Sequence, residues 1–159
     1  MMKSQNRGSG IVEIIVGLAV IVLGIFSLLK TYNYYLKFAL SHRYDVQTAL
    51  LAEEGIEAVR FLRDFSWTTK IAPLTPNTSY RLAFVNSIWT STTSPKYIDA
   101  KFDRIFVLSD VYRDSSDVIA SSGTLDPNTK KVIVSVSVRG VFGTTTRSIS
   151  AYITNLFSN

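Results

Sequence analysis

Residues 11–29 read IVEIIVGLAVIVLGIFSLL, nineteen residues of which Glu13 alone is charged. At a rise of about 1.5 Å per residue, a helix of this length measures roughly 28 Å, close to the thickness of the hydrocarbon core of a bilayer. A secretory signal peptide has a shorter apolar run that ends at a small-residue cleavage site, whereas here Lys30 and a tyrosine-rich segment, residues 32–35, follow directly. The stretch therefore predicts a membrane-spanning helix that stays attached to the protein.

The composition argues against an enzyme. The 159-residue chain has no cysteine and a single histidine, His42, which excludes a zinc-thiolate or iron–sulfur site and a cysteine nucleophile. Its 17 lysines and arginines against 12 acidic residues give a net charge of +5, but the basic residues are scattered along the chain rather than clustered. We therefore expect no catalytic site, no metal, no cofactor and no specific binding of nucleic acid.

Glu13 is the unusual residue of the apolar stretch, because an unpaired carboxylate in a spanning helix costs on the order of 2–3 kcal/mol. One interpretation is an interfacial acid that lipid headgroups and the helix dipole satisfy. The other depends on its neighbours, since Glu13 is the fifth residue after the bond between Gly8 and Ser9, and the short leader before that bond carries Lys3 and Arg7. These two basic residues favour a cytoplasmic N-terminus.

A basic leader, a glycine, this spacing to an acid and an unbroken apolar helix together resemble the N-terminus of type IV pilins and of the pseudopilins of type II secretion systems. The resemblance covers about the first thirty residues. It implies that a membrane peptidase cuts between Gly8 and Ser9, removes the leader, residues 1–8, and methylates the new terminal amine. The chain departs from the family in having Ser9 where phenylalanine is usual, and in lacking the helix-kinking proline further along.

The resemblance also implies a role for Glu13 in assembly. Cleavage makes a cationic amine on Ser9, and in a filament this amine neutralises Glu13 of a neighbouring subunit, although the sequence alone leaves pairing across one helical turn open. Gly17 and Gly24 are seven residues apart and lie on nearly the same helix face, where helices can approach closely. The implied partners are other pilin subunits, the prepilin peptidase, a membrane platform and an assembly ATPase.

The helical pattern continues past the membrane segment. Residues 47–64 are dominated by good helix formers, and apolar residues recur at spacings of four or seven. We therefore predict one helix of roughly 50 residues, with residues 9–29 in the membrane and residues 30–65 as an amphipathic continuation. Glu53 and Glu54 are expected to be solvated or intersubunit charges. The predicted apolar stripe consists of Leu36, Leu40, Tyr44, Gln47, Leu51, Gly55, Ala58 and Leu62.

Residues 66–159 are predicted to form a β-domain. Residues 66–79 contain two prolines and indicate an irregular connection, residues 86–95 indicate an exposed loop, and Asp-Pro-Asn-Thr at residues 126–129 indicates a turn. The fold class is therefore α+β, a long N-terminal helix packed on an antiparallel sheet of about four strands. The predicted strands are Tyr80–Val85, Arg104–Tyr112, Val132–Arg139 and Arg147–Leu156, with Val132, Val134, Val136 and Val138 on the buried face.

Two further features leave alternatives open. Trp89 is either a contact residue or, as we favour, an anchor in the core. Asp110, Asp114 and Asp117 supply oxygens of the kind that Ca²⁺ binds, but their spacing lacks the glycine and glutamate of an EF-hand, which favours a solvated turn.

These observations predict a non-catalytic structural subunit of a type IV pilus or a similar filament. It would be a single-pass protein of the cytoplasmic membrane before assembly and part of an extracellular filament afterwards. A minor pilin or a pseudopilin is the near alternative. A signal-anchored membrane protein whose β-domain binds a ligand is the more distant one, and it predicts an uncut N-terminus and a dispensable Glu13.

Overall fold

A computed structural model describes residues 9–140 and 143–156 of the chain. Its contacts divide the chain into two units, Met1–Ser41 and His42–Asn159. Helix α1, Ser9–Phe65, supplies the described part of the first unit and the beginning of the second. The predicted long helix is confirmed and has 57 residues.

The second unit joins the C-terminal part of α1 to an antiparallel sheet. A π-helical turn, Trp67–Ile71, follows α1 inside the otherwise irregular connection, and its two end residues are buried. The sheet is ordered β2-β1-β4-β6-β7, with the short strands β3 and β5 also paired to β4. The strands are β1 (Ser79–Val85), β2 (Ile88–Thr92), β3 (Tyr97–Ile98), β4 (Phe102–Arg113), β5 (Ile119–Ala120), β6 (Thr124–Gly140) and β7 (Gly143–Thr154).

The α+β class is thus confirmed, but the strand number is wrong, because the described residues contain seven strands rather than about four. The four predicted segments correspond to β1, β4, β6 and β7. The exposed loop expected at residues 86–95 is also wrong, since it contains β2. Asn86 and Ser87 have φ of 51° and 64°, so these two residues form a tight turn that pairs Val85 directly with Ile88.

The turn predicted at residues 126–129 lies inside β6. Asp126 does accept a hydrogen bond from the backbone N–H of Asn128 at 2.9 Å, which is the local chemistry expected of a turn. Strand β4, however, pairs Asp110 with Lys130 and Val111 with Asp126, so residues 127–129 are extra residues on β6. The chain therefore makes a bulge and continues as a strand.

The core lies between the second half of α1 and one face of the sheet. The alternation in β6 is confirmed, since Val132, Val134, Val136 and Val138 are all buried. On the helix, Gly55, Ala58 and Leu62 of the predicted stripe are buried as well. The predicted stripe is nevertheless too narrow, because a helix that packs on a sheet buries a wider face than one line of residues. The buried helix residues that it missed are Thr48, Ala52, Ile56 and Val59.

Candidate functional site

The large apolar side chains of residues 11–29 are all exposed, by 40–72%. The most apolar eighteen-residue window of this helix has a mean hydropathy of 2.8, and none of that window is buried. Because soluble proteins rarely expose so large a contiguous apolar surface, this surface marks contact with lipid or with another protein. The helix is long and apolar enough to span a membrane.

Glu13 lies on this apolar surface, in the second turn of α1, and is exposed. None of the ion pairs formed by the described residues includes it. A carboxylate in this position is tolerated in water, but in lipid or in a bundle of apolar helices it needs a cation or must be protonated. Within residues 9–140 and 143–156 of a single chain, no ion pair supplies that cation.

Three glycines lie near Glu13 on α1. Gly10, Gly17 and Gly24 repeat every seven residues, which places them close to one line along the helix. Glu13 is three residues after Gly10 and four before Gly17, so it belongs to the same face. A methyl group added at any of the three glycines would meet no atom within 4 Å. Gly10 was not predicted as part of this face, although the seven-residue spacing to Gly17 indicates it.

The structure describes only one of the remaining N-terminal residues of the predicted site. Lys3, Arg7 and Gly8 lie outside the described residues. Ser9 is the first residue of α1, and only its backbone is described. Processing at Gly8 and pairing of the Ser9 amine with Glu13 therefore stay predictions.

The second unit contains a buried charge that sequence analysis missed. Arg104 in β4 is 3% exposed, and its Nη1 donates to the carbonyl oxygen of Leu51 and lies 3.2 Å from Oε2 of Glu54. Its guanidinium carbon lies 5.3 Å from the ring centroid of Trp89. Its Nε is buried and has no hydrogen-bond partner. The signal was the alternation in β4, which puts position 104 on the same face as Phe102 and Phe106.

Gly55 allows the helix to approach Arg104 this closely. A Cβ atom at Gly55 would lie 2.6 Å from Cγ1 of Val134 and 3.1 Å from Cδ of Arg104. The Cγ1 atom belongs to a β-branched side chain with little rotamer freedom, so it cannot easily move aside. The missing side chain is what brings the carbonyl of Leu51 within reach of Arg104.

Glu54 and Trp89, for which the sequence predicted surface and core positions respectively, both contact Arg104. Glu53 and Glu54 are both exposed, as expected of solvated charges, and Glu54 in addition forms an ion pair with Arg104, which the sequence did not predict. Trp89 is partly buried and packs against the core, as an anchor should. It also contacts the Phe84 ring at a centroid distance of 5.1 Å.

The three aspartates weighed as calcium ligands have other contacts. Lys130 donates to Asp110, and Asp114 accepts from the backbone N–H groups of Ser116 and Val118 at 2.8 and 3.0 Å. Asp117 lies 3.6 Å from Arg113. Within the described ranges no group of three or more His, Cys, Asp or Glu side chains is placed to hold a metal ion.

Arg113 organises the end of the sheet beside that turn. Its Nε donates to Asp126 at 2.7 Å, and its Nη1 donates to the carbonyl of Asp117 at 2.9 Å. The hydrogen bond from Arg113 lowers the pKa of Asp126 below its ordinary value; burial opposes this, while Thr129 and the backbone of Asn128 reinforce it. Asp126 is therefore held in its ionised form as part of the bulge.

No protein-family model matches the chain, and neither a curated protein nor a solved structure shows a significant match.

Proposed function

We propose that the chain is a structural subunit of a type IV pilus or of a related filament, assembled through residues 9–29 of α1. The observation that carries the proposal is the exposed apolar helix with a single acid, Glu13, at the fifth position after Gly8. A membrane alone would take up the apolar surface, but it would leave the carboxylate to lipid headgroups and the helix dipole, which fix no register between copies. A second subunit with a free amine at Ser9 supplies a cation.

The mechanism follows from charge pairing in an apolar medium. The subunit is inserted as a single-span precursor, a peptidase removes residues 1–8, and the new Ser9 amine of one copy pairs with Glu13 of the next. A buried ion pair contributes little net stability, but a missing partner is strongly unfavourable, so the pair fixes the register between subunits. The glycine line at residues 10, 17 and 24 lets neighbouring helices pack closely around that contact.

A substitution at Glu13 tests the register role. We expect Glu13→Ala to insert in the membrane at the normal level and to lose most filament assembly, measured as sheared filament yield per cell against the membrane-bound pool. The matched control is Glu53→Ala, which removes the same charge from an exposed position of the same helix outside the apolar segment. Normal filament yield from Glu13→Ala would contradict the proposal.

The second candidate function is a membrane-anchored domain that binds a ligand, because a tether needs the same apolar helix. The buried Arg104 is the observation that favours it. Intact-mass measurement on protein extracted from membranes separates the two. Loss of residues 1–8 supports the filament subunit, and a chain that retains Met1 supports the tether. Copy number in purified filaments then distinguishes a major pilin from a minor pilin or a pseudopilin.

A further inference from the structure

Arg104 is a buried cation whose hydrogen-bonding capacity is only partly used. The hydrogen bond to the carbonyl of Leu51 and the ion pair with Glu54 both use Nη1, while the buried Nε has no acceptor. Buried donors in folded proteins are nearly always paired, so an unpaired one needs an explanation. The guanidinium fork binds planar anions through two parallel hydrogen bonds, which makes a carboxylate the group that fits best.

The carboxylate that Arg104 now contacts is weakly held. Glu54 makes one contact at 3.2 Å and its side chain is 49% exposed. Arg81 and Asp103, on the same sheet, show what a two-point pair looks like, with hydrogen bonds of 2.7 and 2.9 Å. Glu54 can therefore swing into solvent when a better-placed carboxylate arrives, and the charge of the site stays balanced during the exchange.

Arg104 lines an open recess with aromatic walls. The recess has a volume of about 270 Å³ and lies between the Glu54 turn of α1 and the strands β1, β2, β3 and β4. Lys96 adds a second cation at its edge, while Glu54 is the acid among the residues that line it. Typical drug-sized pockets hold roughly 300–1,000 Å³, so this one suits a single ring with a short acidic arm. The lining side chains that bear on ligand class are Glu54, Leu82, Trp89, Lys96, Tyr97 and Arg104.

We propose that this recess binds a small aromatic carboxylate, with the carboxylate on Arg104 in place of Glu54 and the ring against Trp89 and Tyr97. The inference does not depend on filament assembly, because every residue that it uses lies in the unit His42–Asn159. The aromatic walls separate this ligand from inorganic phosphate, which would gain the charge pairing but none of the ring contacts.

Calorimetric titration of the full-length protein in a nonionic detergent tests the proposal, with phenylacetate as the probe. We expect saturable binding of phenylacetate, and binding of its uncharged analogue phenylacetamide that is at least about tenfold weaker, because the amide lacks the charge-assisted bonds to Arg104. Inorganic phosphate at the same ionic strength should be weaker than phenylacetate by a similar factor.

Variants that leave Arg104 in place provide the sharper test. Glu54→Gln removes the competing carboxylate and should tighten phenylacetate binding, by about three- to tenfold. Lys96→Gln should weaken it severalfold. The matched control is Glu57→Gln, one turn along α1, where the carboxylate pairs with Arg60 instead of Arg104. This control should leave the affinity unchanged. Near-UV circular dichroism of each variant checks that the domain keeps its fold.

Three results would overturn the proposal. The first is the absence of saturable phenylacetate binding to both the natural chain and a folded Glu54→Gln variant. The second is phenylacetamide or phosphate that binds as tightly as phenylacetate. The third is a Glu54→Gln affinity equal to that of the Glu57→Gln control. None of these results bears on filament assembly, which Glu13→Ala tests separately.

Discussion

The two parts of helix α1 place the same residue types in opposite situations. In residues 10–41 every large apolar side chain is exposed, and three glycines face open space. In residues 42–65 the chain covers its own apolar face, and Gly55 is pressed against Val134. One continuous helix can therefore bury its apolar face within its own chain at one end and leave its apolar face exposed at the other. The exposed apolar surface of residues 10–41 requires lipid or another protein molecule to cover it.

Removal of the exposed part of α1 should have the largest effect. A chain that begins at His42 keeps the whole buried core, since all the buried apolar residues lie at position 52 or later. We expect it to fold and to remain in the supernatant after ultracentrifugation without detergent, whereas the full chain should require detergent. A truncated protein that unfolds or sediments would show that the first unit contributes to the fold of the second.

One substitution made at two positions gives the next largest contrast. Leu62 is 1% exposed and Leu23 is 67% exposed. Leu62→Ala should lower the free energy of unfolding of the sheet domain by about 2–5 kcal/mol, because it leaves a cavity in the core. Leu23→Ala should leave that free energy unchanged. Urea unfolding followed by tryptophan fluorescence measures both, and equal effects would contradict the division of α1.

Enlarging a glycine, rather than shortening a leucine, should give a smaller difference between the two parts of α1. Gly55→Ala should cost about 1–2 kcal/mol of domain stability, since overpacking outweighs the gain of about 1 kcal/mol in helix propensity. Gly17→Ala has no neighbour to strike and should not lower the stability of the domain. Thermal unfolding in detergent compares the two variants. An unchanged or raised midpoint for Gly55→Ala would show that the helix can move away from the sheet.

Acid titration of Asp126 should give the smallest effect. Its pKa is lowered in the folded protein, so its ionised form stabilises the fold above its ordinary pKa, and that contribution is lost as the pH falls through the lowered value. The pair with Arg113 is partly exposed, so solvent screens it and its contribution to stability is small. Asp126→Asn should therefore flatten the fall in stability at acid pH. Urea midpoints measured across the acid range check this.

Sequence alone predicted the elements in which one periodicity dominates. The uninterrupted apolar run required a long exposed helix, and the alternating valines of β6 required a sheet with one buried face. Strand β2 was not predicted, because its residues Ile88–Thr92 do not alternate between apolar and polar. In addition, its turn consists of Asn86 and Ser87 and lacks the glycine that marks most two-residue hairpins. The bulge in β6 was not predicted, because the residues at 126–129 are typical of a turn that ends a strand, whereas here the strand continues past them.

The site was predictable to a different degree at each end of the chain. The apolar run draws attention to Glu13 as its one charged residue, and to Gly17 and Gly24 as its two residues without a side chain. Arg104 did not stand out, although alternation in β4 assigns it to the buried face, because charged residues are normally expected at the surface. Its contact with Glu54 depends on how closely the helix meets the sheet, a distance set by Gly55 and Val134 that no local pattern encodes.

The bulge in β6 has a practical consequence. Residues 127–129 are additional relative to β4, and strand pairing resumes on both sides of them, at Asp126 and at Lys130. Pro127 and Asn128 are exposed. A short epitope tag inserted between these two residues would lengthen a segment that β4 leaves unpaired, while the pairing of Thr129 with Thr154 of β7 keeps the valines of β6 in register. Antibody or gold decoration at that point would then report whether the sheet domain is accessible at the surface of intact cells.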